Sequence, residues 1–368
     1  MLGLYLHIPF CMSKCPYCDF YSLVGCGDDE KNRYLTTLTA MLYKWAETLN
    51  MPADTIYLGG GTPTLLGAKR LEQLITNART AFCVPDHAEI TLEANPGDDL
   101  HEVLSAFRFV GGNRLSLGVQ AVDDEKLQLL GRRHSVQQAE QTARLAHRLG
   151  LDNLSFDLML ATSEQTISDV QQAARRFADW GATHISAYLL KIEPNTPYAL
   201  SCPPLPDDDQ AATLYLEAVQ SFAKHGYAQY EISNFAKPGY ESRHNLKYWN
   251  SDPYIGIGPS AHSFVDGRRF FYPRSLSAFY DGQDPLAETI SDTDIPENSP
   301  AEYAMLRLRL TEGLTEHGFF SRFGQPIPTE WRKRAARIPP HLLIADEKGM
   351  RLTAAGFLVS DVILSRLL

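Results

Sequence analysis

The sequence lacks the features that would place the protein in a membrane, on nucleic acid or in a secretory pathway. No apolar run approaches the roughly 20 residues that a membrane-spanning helix needs. The formal net charge is −10 and no basic patch stands out, so a phosphate backbone finds no general attraction to the chain. Met1 is followed at once by an apolar segment, without the basic region that begins a signal peptide. We therefore expect a cytoplasmic protein with no membrane span and no nucleic-acid partner.

Cysteine is scarce and unevenly distributed. Three of the 6 cysteines, Cys11, Cys15 and Cys18, fall in the string HIPFCMSKCPYCDFYS, while the others are scattered at Cys26, Cys83 and Cys202. A structural zinc site would normally need a fourth Cys or His in a similar loop, or a second CxxC, and neither is present. The spacing CxxxCxxC instead lets one loop place three thiolates on one iron-sulfur cluster while the fourth iron has no protein ligand. The triplet thus predicts a 4Fe-4S cluster in a reducing compartment, with zinc as the weaker alternative.

Short apolar segments alternate with longer amphipathic ones over the first 200 residues. Six segments have the length and composition of strands, at residues 4–8, 55–58, 89–93, 114–119, 153–160 and 184–190. Between them, apolar residues recur at the three-and-four spacing of one helix face, as in Leu35, Leu38, Leu42 and Trp45. Six strand–helix units in a row predict an α/β fold with a parallel sheet, in the form of a partial TIM-type (β/α)6 barrel open on one side.

Polar residues and glycines gather where these strands end. The cysteines follow the first strand, the later strand ends carry Gly59, Gly60, Gly61, Thr62, Glu93 and Gln120, and Asp157 lies within the fifth strand. Barrel enzymes place their sites on this carboxyl-terminal rim. Glycines let the backbone approach a ligand and offer it amide and carbonyl groups, whereas carboxylates accept hydrogen bonds from ribose hydroxyls or an ammonium group. Arg132 can form a forked contact to a carboxylate.

The pattern changes after about residue 200. A Pro- and Asp-rich string, CPPLPDDD, leads to an aromatic and glycine-rich stretch at residues 227–271, and helical periodicity returns from about Glu297. We predict three parts: a partial barrel at 1–200, an aromatic and glycine-rich extension at 201–290 and a small, mostly helical carboxyl-terminal domain at 291–368.

The cysteine loop and the partial barrel together resemble the radical S-adenosylmethionine superfamily. In that superfamily the amino and carboxylate groups of S-adenosylmethionine chelate the open iron of the cluster. Longer strings resemble the oxygen-independent coproporphyrinogen III oxidases and their close relatives, the heme chaperones: YLHIPFC, GGGTPT, LEANP, LGVQ, RRH, FDLM, YLLKIEPNT, YEISNFAKPG, RHNLKYW and YIGIGPSAHS. The match covers residues 5–264, and the tail fits the carboxyl-terminal domain of that family.

The resemblance implies a set of site residues. Cys11, Cys15 and Cys18 would hold the cluster, and S-adenosylmethionine would contact Tyr5, Tyr17, Gly60, Gly61, Thr62, Glu93, Gln120, Arg132 and Asp157. His244 begins an HNxxYW string, in which the chaperone branch has a proposed heme-binding histidine, and an imidazole is a competent axial ligand. The alternative is that His244 only hydrogen-bonds within a buried turn. His262 and Cys202 are weaker candidates for a heme ligand.

Small differences separate the two activities that the resemblance implies. The oxidases carry a fourth cysteine two residues after the third and an amino-terminal extension, whereas here that position is Phe20 and four residues precede Tyr5. We therefore expect a heme chaperone that binds heme, a 4Fe-4S cluster and S-adenosylmethionine and passes heme to an acceptor protein. A respiratory acceptor and a homodimer are further expectations. The alternative is an enzyme that decarboxylates two propionates of coproporphyrinogen III to vinyl groups.

One loop departs from the family pattern. After the fifth strand the family has a GLP-containing loop, whereas this chain reads Ala161-Thr162-Ser163. Losing the glycine and the proline changes the backbone angles available to the loop. We leave the substrate contacts of this loop open.

Overall fold

The computed structural model describes residues 1–282 and 295–368. The strands, in chain order, are β1 (Leu2–Ile8), β2 (Phe10–Cys11), β3 (Leu23–Val24), β4 (Ala53–Gly60), β5 (Glu89–Ala94), β6 (Arg114–Gln120), β7 (Asn153–Leu160), β8 (His184–Leu189), β9 (Ala228–Gln229), β10 (Asn234–Ala236), β11 (Tyr254–Ile257), β12 (His262–Val265), β13 (Arg268–Phe271), β14 (Leu314–Thr315), β15 (Leu343–Asp346) and β16 (Gly349–Leu352).

A 3-10 turn spans Pro63–Leu66. The helices are α1 (Asp28–Leu49), α2 (Ala68–Ala81), α3 (His101–Phe109), α4 (Asp124–Leu129), α5 (Val136–Arg148), α6 (Ile167–Asp179), α7 (Pro197–Ser201), α8 (Asp208–Lys224), α9 (Arg243–Asn250), α10 (Leu276–Tyr280), α11 (Pro300–Arg307), α12 (Glu316–Phe323), α13 (Thr329–Ala335), α14 (Ala354–Leu358) and α15 (Ser360–Leu367). None of these helices is long and apolar enough to cross a bilayer.

A large sheet, in the order β13-β12-β11-β1-β4-β5-β6-β7-β8-β10-β9, organises the first part of the chain. The strands from β11 to β8 in this order run parallel, and the pairs at both edges are antiparallel. The predicted α/β fold with a parallel sheet is therefore confirmed. All six predicted strands are present, and their observed bounds differ from the prediction by a few residues at most.

Apolar residues alternate with polar residues or glycine along β6, and the two sets face different parts of the structure. Leu115, Leu117 and Val119 have no exposed surface and pack in the apolar core. The residues between them are polar or glycine and line a central cavity, namely Arg114, Ser116, Gly118 and Gln120. Because successive side chains of a strand point to opposite faces, one strand serves both the core and the cavity.

The stretch at residues 227–271 is more regular than its composition indicated. β11 pairs in parallel with β1, and β10 pairs in antiparallel fashion with β8, so this stretch extends the large sheet at both edges. No strand was predicted for these residues, and their short strands are supported by the existing sheet edges. The three-part division of the chain stays a prediction, and its boundary at 290/291 lies outside the described residues.

The tail contains a second, small sheet besides its helices. β14, β16 and β15 pair in antiparallel fashion in that order, with α12 and α13 between β14 and β15. A bridge between Glu231 and Leu310 connects the tail to the region beside β10. The tail is therefore packed against the edge of the large sheet.

Candidate functional site

A cavity of about 490 Å³ opens at the carboxyl ends of the parallel strands. Its size falls within the usual range for sites that bind small molecules and cofactors. Among the predicted site residues it is lined by Cys11, Cys15, Tyr17, Cys18, Gly60, Gly61, Thr62, Glu93, Gln120, Arg132 and Asp157. Tyr5 and His244 are not among the lining residues. The strand ends thus bring together residues that lie as much as 146 positions apart in the chain, from Cys11 to Asp157.

A chain of hydrogen bonds links two of the cysteine sulfurs through residues of other strand–helix connections. Thr62 Oγ1 donates to Cys11 Sγ at 3.7 Å and accepts from Asn95 Nδ2 at 3.0 Å. Arg132 donates from Nη2 to Asn95 Oδ1 at 2.6 Å and from Nη1 to Cys15 Sγ at 3.3 Å. Hydrogen bonds to ligand sulfurs orient them toward the iron they would bind. We call Thr62, Asn95 and Arg132 the sulfur-linking network.

The donor set fits an iron-sulfur cluster better than a single ion. All three cysteines are free and partly exposed toward the cavity. Within residues 1–282 and 295–368, no three His, Cys, Asp or Glu side chains lie close enough together to hold one metal ion. A cluster makes a different demand, because each thiolate binds a different iron and the sulfurs stand further apart. Zinc, which takes four tightly spaced ligands, fits this loop poorly.

The glycines at the end of β4 make room for a buried carboxylate. A Cβ added to Gly59 would lie 2.9 Å from the carboxyl group of Glu93. Glu93 accepts hydrogen bonds from Tyr57 Oη at 2.8 Å and from the Gly60 amide at 3.0 Å. The Gly61 amide donates to the Ile8 carbonyl at 2.8 Å. The expectation that these two amides face a ligand is therefore wrong, because protein acceptors already occupy them; the glycines contribute space and carbonyl groups instead.

Asp157 is a buried acid with a shifted titration. Burial and, to a lesser degree, the nearby Glu93 carboxylate raise its pKa to about 7, against the opposing effect of Arg114. Ser116 Oγ donates to Asp157 Oδ1 at 3.3 Å, which favours the ionised form. Burial also raises the pKa of Glu93, against the hydrogen bonds from Tyr57 and Gly60. The cavity thus holds two acceptors for hydroxyl or ammonium groups, one of which titrates near neutral pH.

Arg132 and Gln120 occupy the same side of the cavity. Arg132 Nη2 donates to the Gly118 carbonyl at 2.7 Å as well as to Asn95, so the terminal nitrogens already have protein partners. Its Nε is buried without a hydrogen-bond partner. Gln120 has a φ of 70°, a left-handed conformation that is uncommon for residues other than glycine and is often found at functional sites.

Tyr5 lies behind the cavity wall. Its hydroxyl is 3.1 Å from His7 Nδ1, and its ring packs against the ring of Tyr57, which does line the cavity. Burial and the Glu93 carboxylate raise the pKa of the Tyr5 hydroxyl, so it stays neutral. Tyr5 is therefore next to a residue of the cavity lining, Tyr57, rather than part of the lining itself.

His244 lies at the opposite end of the barrel from the cysteines. It is completely buried, with Nδ1 at 2.8 Å from Thr55 Oγ1 and Nε2 at 2.8 Å from Tyr248 Oη. Burial lowers its pKa to about 3, with further contributions from Lys247 and Arg114, so the ring is neutral. Neither nitrogen is available to an iron atom in this conformation. The geometry agrees with the structural alternative for the histidine rather than with heme ligation.

Helix α9, which carries His244, closes the floor of the barrel. Glu89, the first residue of β5, accepts from the backbone amides of Arg243 and His244 at 3.0 and 2.9 Å. Lys247 Nζ lies 2.7 Å from Asp54 Oδ1 and donates to the Met1 carbonyl at 3.0 Å. These partners all lie at the amino ends of strands. Asn245 alone on this helix lines the cavity, from below.

Several lining residues escaped the sequence reasoning. Arg114 is almost fully buried and its Nε has no hydrogen-bond partner. The alternation of β6 could have revealed it, because Arg114 is in phase with Gln120 along the strand. Asn95 stands in the string LEANP, directly after β5, and would have been found by including the first residue beyond the strand. Tyr188, at the end of β8, had no distinguishing signal.

The loop that departs from the family pattern keeps a glycine-like conformation without the glycine. Ala161 has a φ of 57°, and Gln165 accepts from its amide at 2.7 Å. Gln165 Nε2 also donates to the Met159 carbonyl at 2.9 Å. The Gln165 side chain therefore stabilises a backbone turn that alanine adopts only at a cost.

Comparisons with known proteins agree with this geometry. The family model of the Radical SAM superfamily matches residues 5–177. The chain is 38% identical to the heme chaperone HemW of Escherichia coli over 88% of this chain and 86% of that protein. It is 32% identical to the heme chaperone HemW of Mycobacterium tuberculosis over 100% of this chain and 94% of that protein. Its fold is similar to that of the coproporphyrinogen III oxidase HemN of Escherichia coli, a radical SAM enzyme, with a TM-score of 0.83, 22% identity and coverage of 100% of this chain and 89% of that one.

Proposed function

The chain belongs to the family of HemW heme chaperones within the radical SAM superfamily, and we propose that it binds heme together with a 4Fe-4S cluster and S-adenosylmethionine and transfers the heme to an acceptor protein. The observation that carries the proposal is the cysteine loop: three cysteines line the cavity, and Phe20 stands where the oxidases have a fourth cysteine. The identity to HemW proteins over most of both chains supports it independently.

Different residues of the cavity would contact the cluster and the different parts of S-adenosylmethionine. Cys11, Cys15 and Cys18 would hold three irons, and when S-adenosylmethionine is bound at the fourth the cluster supplies one-electron chemistry. Glu93 and Asp157 are placed to accept hydrogen bonds from the ammonium group and the ribose hydroxyls. Arg132 would add a positive charge to this lining, beside Gly60 and Gly61.

Three finer statements belong to this proposal. We infer a cytoplasmic location, in keeping with the cysteine loop, whose free thiolates need a reducing compartment. We also infer that the acceptor is a respiratory heme protein and that the protein can form a homodimer. The first can be tested by fractionation, the second by anaerobic pull-down with heme-loaded protein, and the third by the mass of the cluster-loaded protein in solution.

The proposal is tested by offering two tetrapyrroles to the anaerobically reconstituted protein. Heme is titrated and its absorbance followed, and in parallel coproporphyrinogen III is added with S-adenosylmethionine and a reductant. We expect a stoichiometric heme complex, transfer of that heme to an added apo-hemoprotein, and no protoporphyrinogen or carbon dioxide from the second mixture.

The opposite result would favour the alternative enzyme. Catalytic release of carbon dioxide from coproporphyrinogen III, without a stoichiometric heme complex, would replace the chaperone with an oxidase. HemN itself, whose fold this chain shares, serves as the positive control for turnover.

A further inference from the structure

The mouth of the cavity carries large apolar side chains that remain exposed. Phe20 is 66% exposed, Tyr188 42% and Leu189 38%, and all three line the cavity. Phe20 belongs to the cysteine loop, whereas Tyr188 and Leu189 end β8, so they stand on different walls of one opening. A cluster of large exposed apolar groups at the rim of a pocket is a typical sign of a binding surface.

The geometry of the sheet explains why β8 ends in exposed side chains. β10 pairs with β8 only at residues 184–186, and one further backbone bond joins Ala187 to Ser233. Beyond that point β8 keeps its partner β7, with Met159 opposite Tyr188 and Leu160 opposite Leu189, but has no strand on its other side. The apolar end of β8 therefore projects over the cavity without being covered.

The opposite wall is held in place by polar contacts. Lys14 Nζ donates to the Phe20 carbonyl at 3.1 Å, and the preceding Asp19 pairs with Arg274 at 3.0 Å. These contacts fix the backbone on both sides of the Phe20 ring, which keeps the ring exposed without loss of order. A preformed apolar surface binds a flat ligand at a lower entropic cost than a mobile one.

Cations flank this apolar mouth. Lys14 and Lys191 both line the cavity, and Lys191 is paired with Glu193 at 3.0 Å while Asp19 is neutralised by Arg274. Lys14 forms no ion pair with any residue in the described ranges. The rim thus offers apolar side chains on two facing walls and at least one positive charge without an acidic partner, which complements a planar apolar molecule that carries carboxylates at its edge.

We propose that Phe20, Tyr188 and Leu189 form the seat of the heme macrocycle at the mouth of the cavity, with Lys14 and Lys191 facing its propionates. This proposal rests on the proposed function, and it places heme beside the cluster rather than at His244. It also gives a role to Phe20: the residue that replaces the oxidases' fourth cysteine supplies one wall of the seat.

The test is a heme titration of anaerobically reconstituted variants, followed by absorbance. Phe20→Ser and Leu189→Ser each remove one apolar wall and should weaken heme binding by about ten-fold, the loss that corresponds to the burial of one large side chain. Phe109→Ser is the matched control, because Phe109 is 81% exposed on α3 and does not line the cavity. Iron and labile sulfide are measured in each variant, and Leu189→Ser, remote from the cysteine loop, should keep both.

A second pair of probes tests the charges. Lys14→Met removes the charge and also the hydrogen bond to the Phe20 carbonyl, so it should weaken the binding of heme more than that of heme dimethyl ester, whose carboxylates are blocked. If Phe20→Ser, Leu189→Ser and Phe109→Ser bind heme equally well, or if Lys14→Met affects both ligands alike, the seat is wrong although the chaperone function stands. If the wild-type protein does not bind heme at all, the proposed function itself fails.

Discussion

The mouth and the floor of the cavity handle polar groups in opposite ways. At the mouth, the cysteines and exposed apolar side chains line an open space, and Arg132 Nε is buried beside it without a hydrogen-bond partner. At the floor, both nitrogens of His244 and both oxygens of Glu89 are engaged by protein partners. Unpaired groups point to a ligand, whereas satisfied groups point to structure. The cysteine loop and His244 both resemble metal ligands in the sequence, but only the surroundings of the cysteines leave the ligand atoms accessible.

The largest expected effect is the loss of the cluster after a substitution at the mouth of the cavity. Cys15→Ala should abolish the cluster while leaving the fold intact, because Cys15 lies in a partly exposed loop and contributes little to the apolar core. Iron and acid-labile sulfide should fall to background, and the free energy of unfolding of the metal-free protein should change by less than about 1 kcal/mol.

Cys83→Ala provides the control, since Cys83 is exposed and distant from the cavity lining. It should retain the cluster in full. Stoichiometric iron and sulfide in Cys15→Ala would contradict the ligand assignment and, with it, the functional role of the mouth.

At the floor we expect a loss of stability rather than of cofactor. His244→Ala removes a buried ring and leaves Thr55 and Tyr248 without their partner, which should lower the free energy of unfolding by about 3 kcal/mol. Chemical denaturation measures this directly. The folded fraction should still bind the cluster and heme with the wild-type absorbance.

His262→Ala is the matched histidine control. His262 begins β12 at an exposed position and packs only against the Phe271 ring among the aromatic contacts described, so its loss should cost less than about 0.5 kcal/mol. A changed heme spectrum with unchanged stability in His244→Ala would reverse the distinction between mouth and floor.

The smallest expected effect is a dependence of S-adenosylmethionine binding on pH. Because burial raises the pKa of Asp157 to about 7, the carboxylate that accepts hydrogen bonds is present above pH 7 and is lost as the pH falls below it. The affinity for S-adenosylmethionine should therefore fall about ten-fold between pH 8 and pH 6, as expected for one group protonating within that interval. Equilibrium binding to the cluster-loaded protein measures it.

Asp157→Asn should bind more weakly than the wild type and with an affinity that does not vary over this interval. A wild-type affinity that stays constant from pH 8 to pH 6 would show that Asp157 does not contact the ligand in its ionised form.

Much of the fold could be predicted from the sequence because the strand segments are apolar and bounded by glycines or polar turns. Glu93, Gln120 and Asp157 were identified because they come at or near strand ends, and their convergence follows from parallel strands sharing one rim. His244 could not be placed in the same way. Its partners, Thr55 and Glu89, lie 189 and 155 positions away in the chain, and which end of the barrel α9 would cover depends on the pairing of β11 with β1.

The short strands at residues 227–271 illustrate a second limit. Asn234–Ala236 and Tyr254–Ile257 are too short to be recognised by periodicity, and each is stable because an existing edge of the sheet supports it. The local sequence predicts a strand that has its own periodic pattern of apolar residues. It does not predict a short strand that is stable only because it pairs with a neighbouring strand.

The sulfur-linking network has a consequence for the order of assembly. Thr62, Asn95 and Arg132 are already bonded to one another and to two sulfurs by side chains that come from three separate connections of the barrel. Iron and sulfide would then be added to a site whose shape is already set by the folded polypeptide. Maturation of the protein can therefore follow translation and folding as a separate, later step.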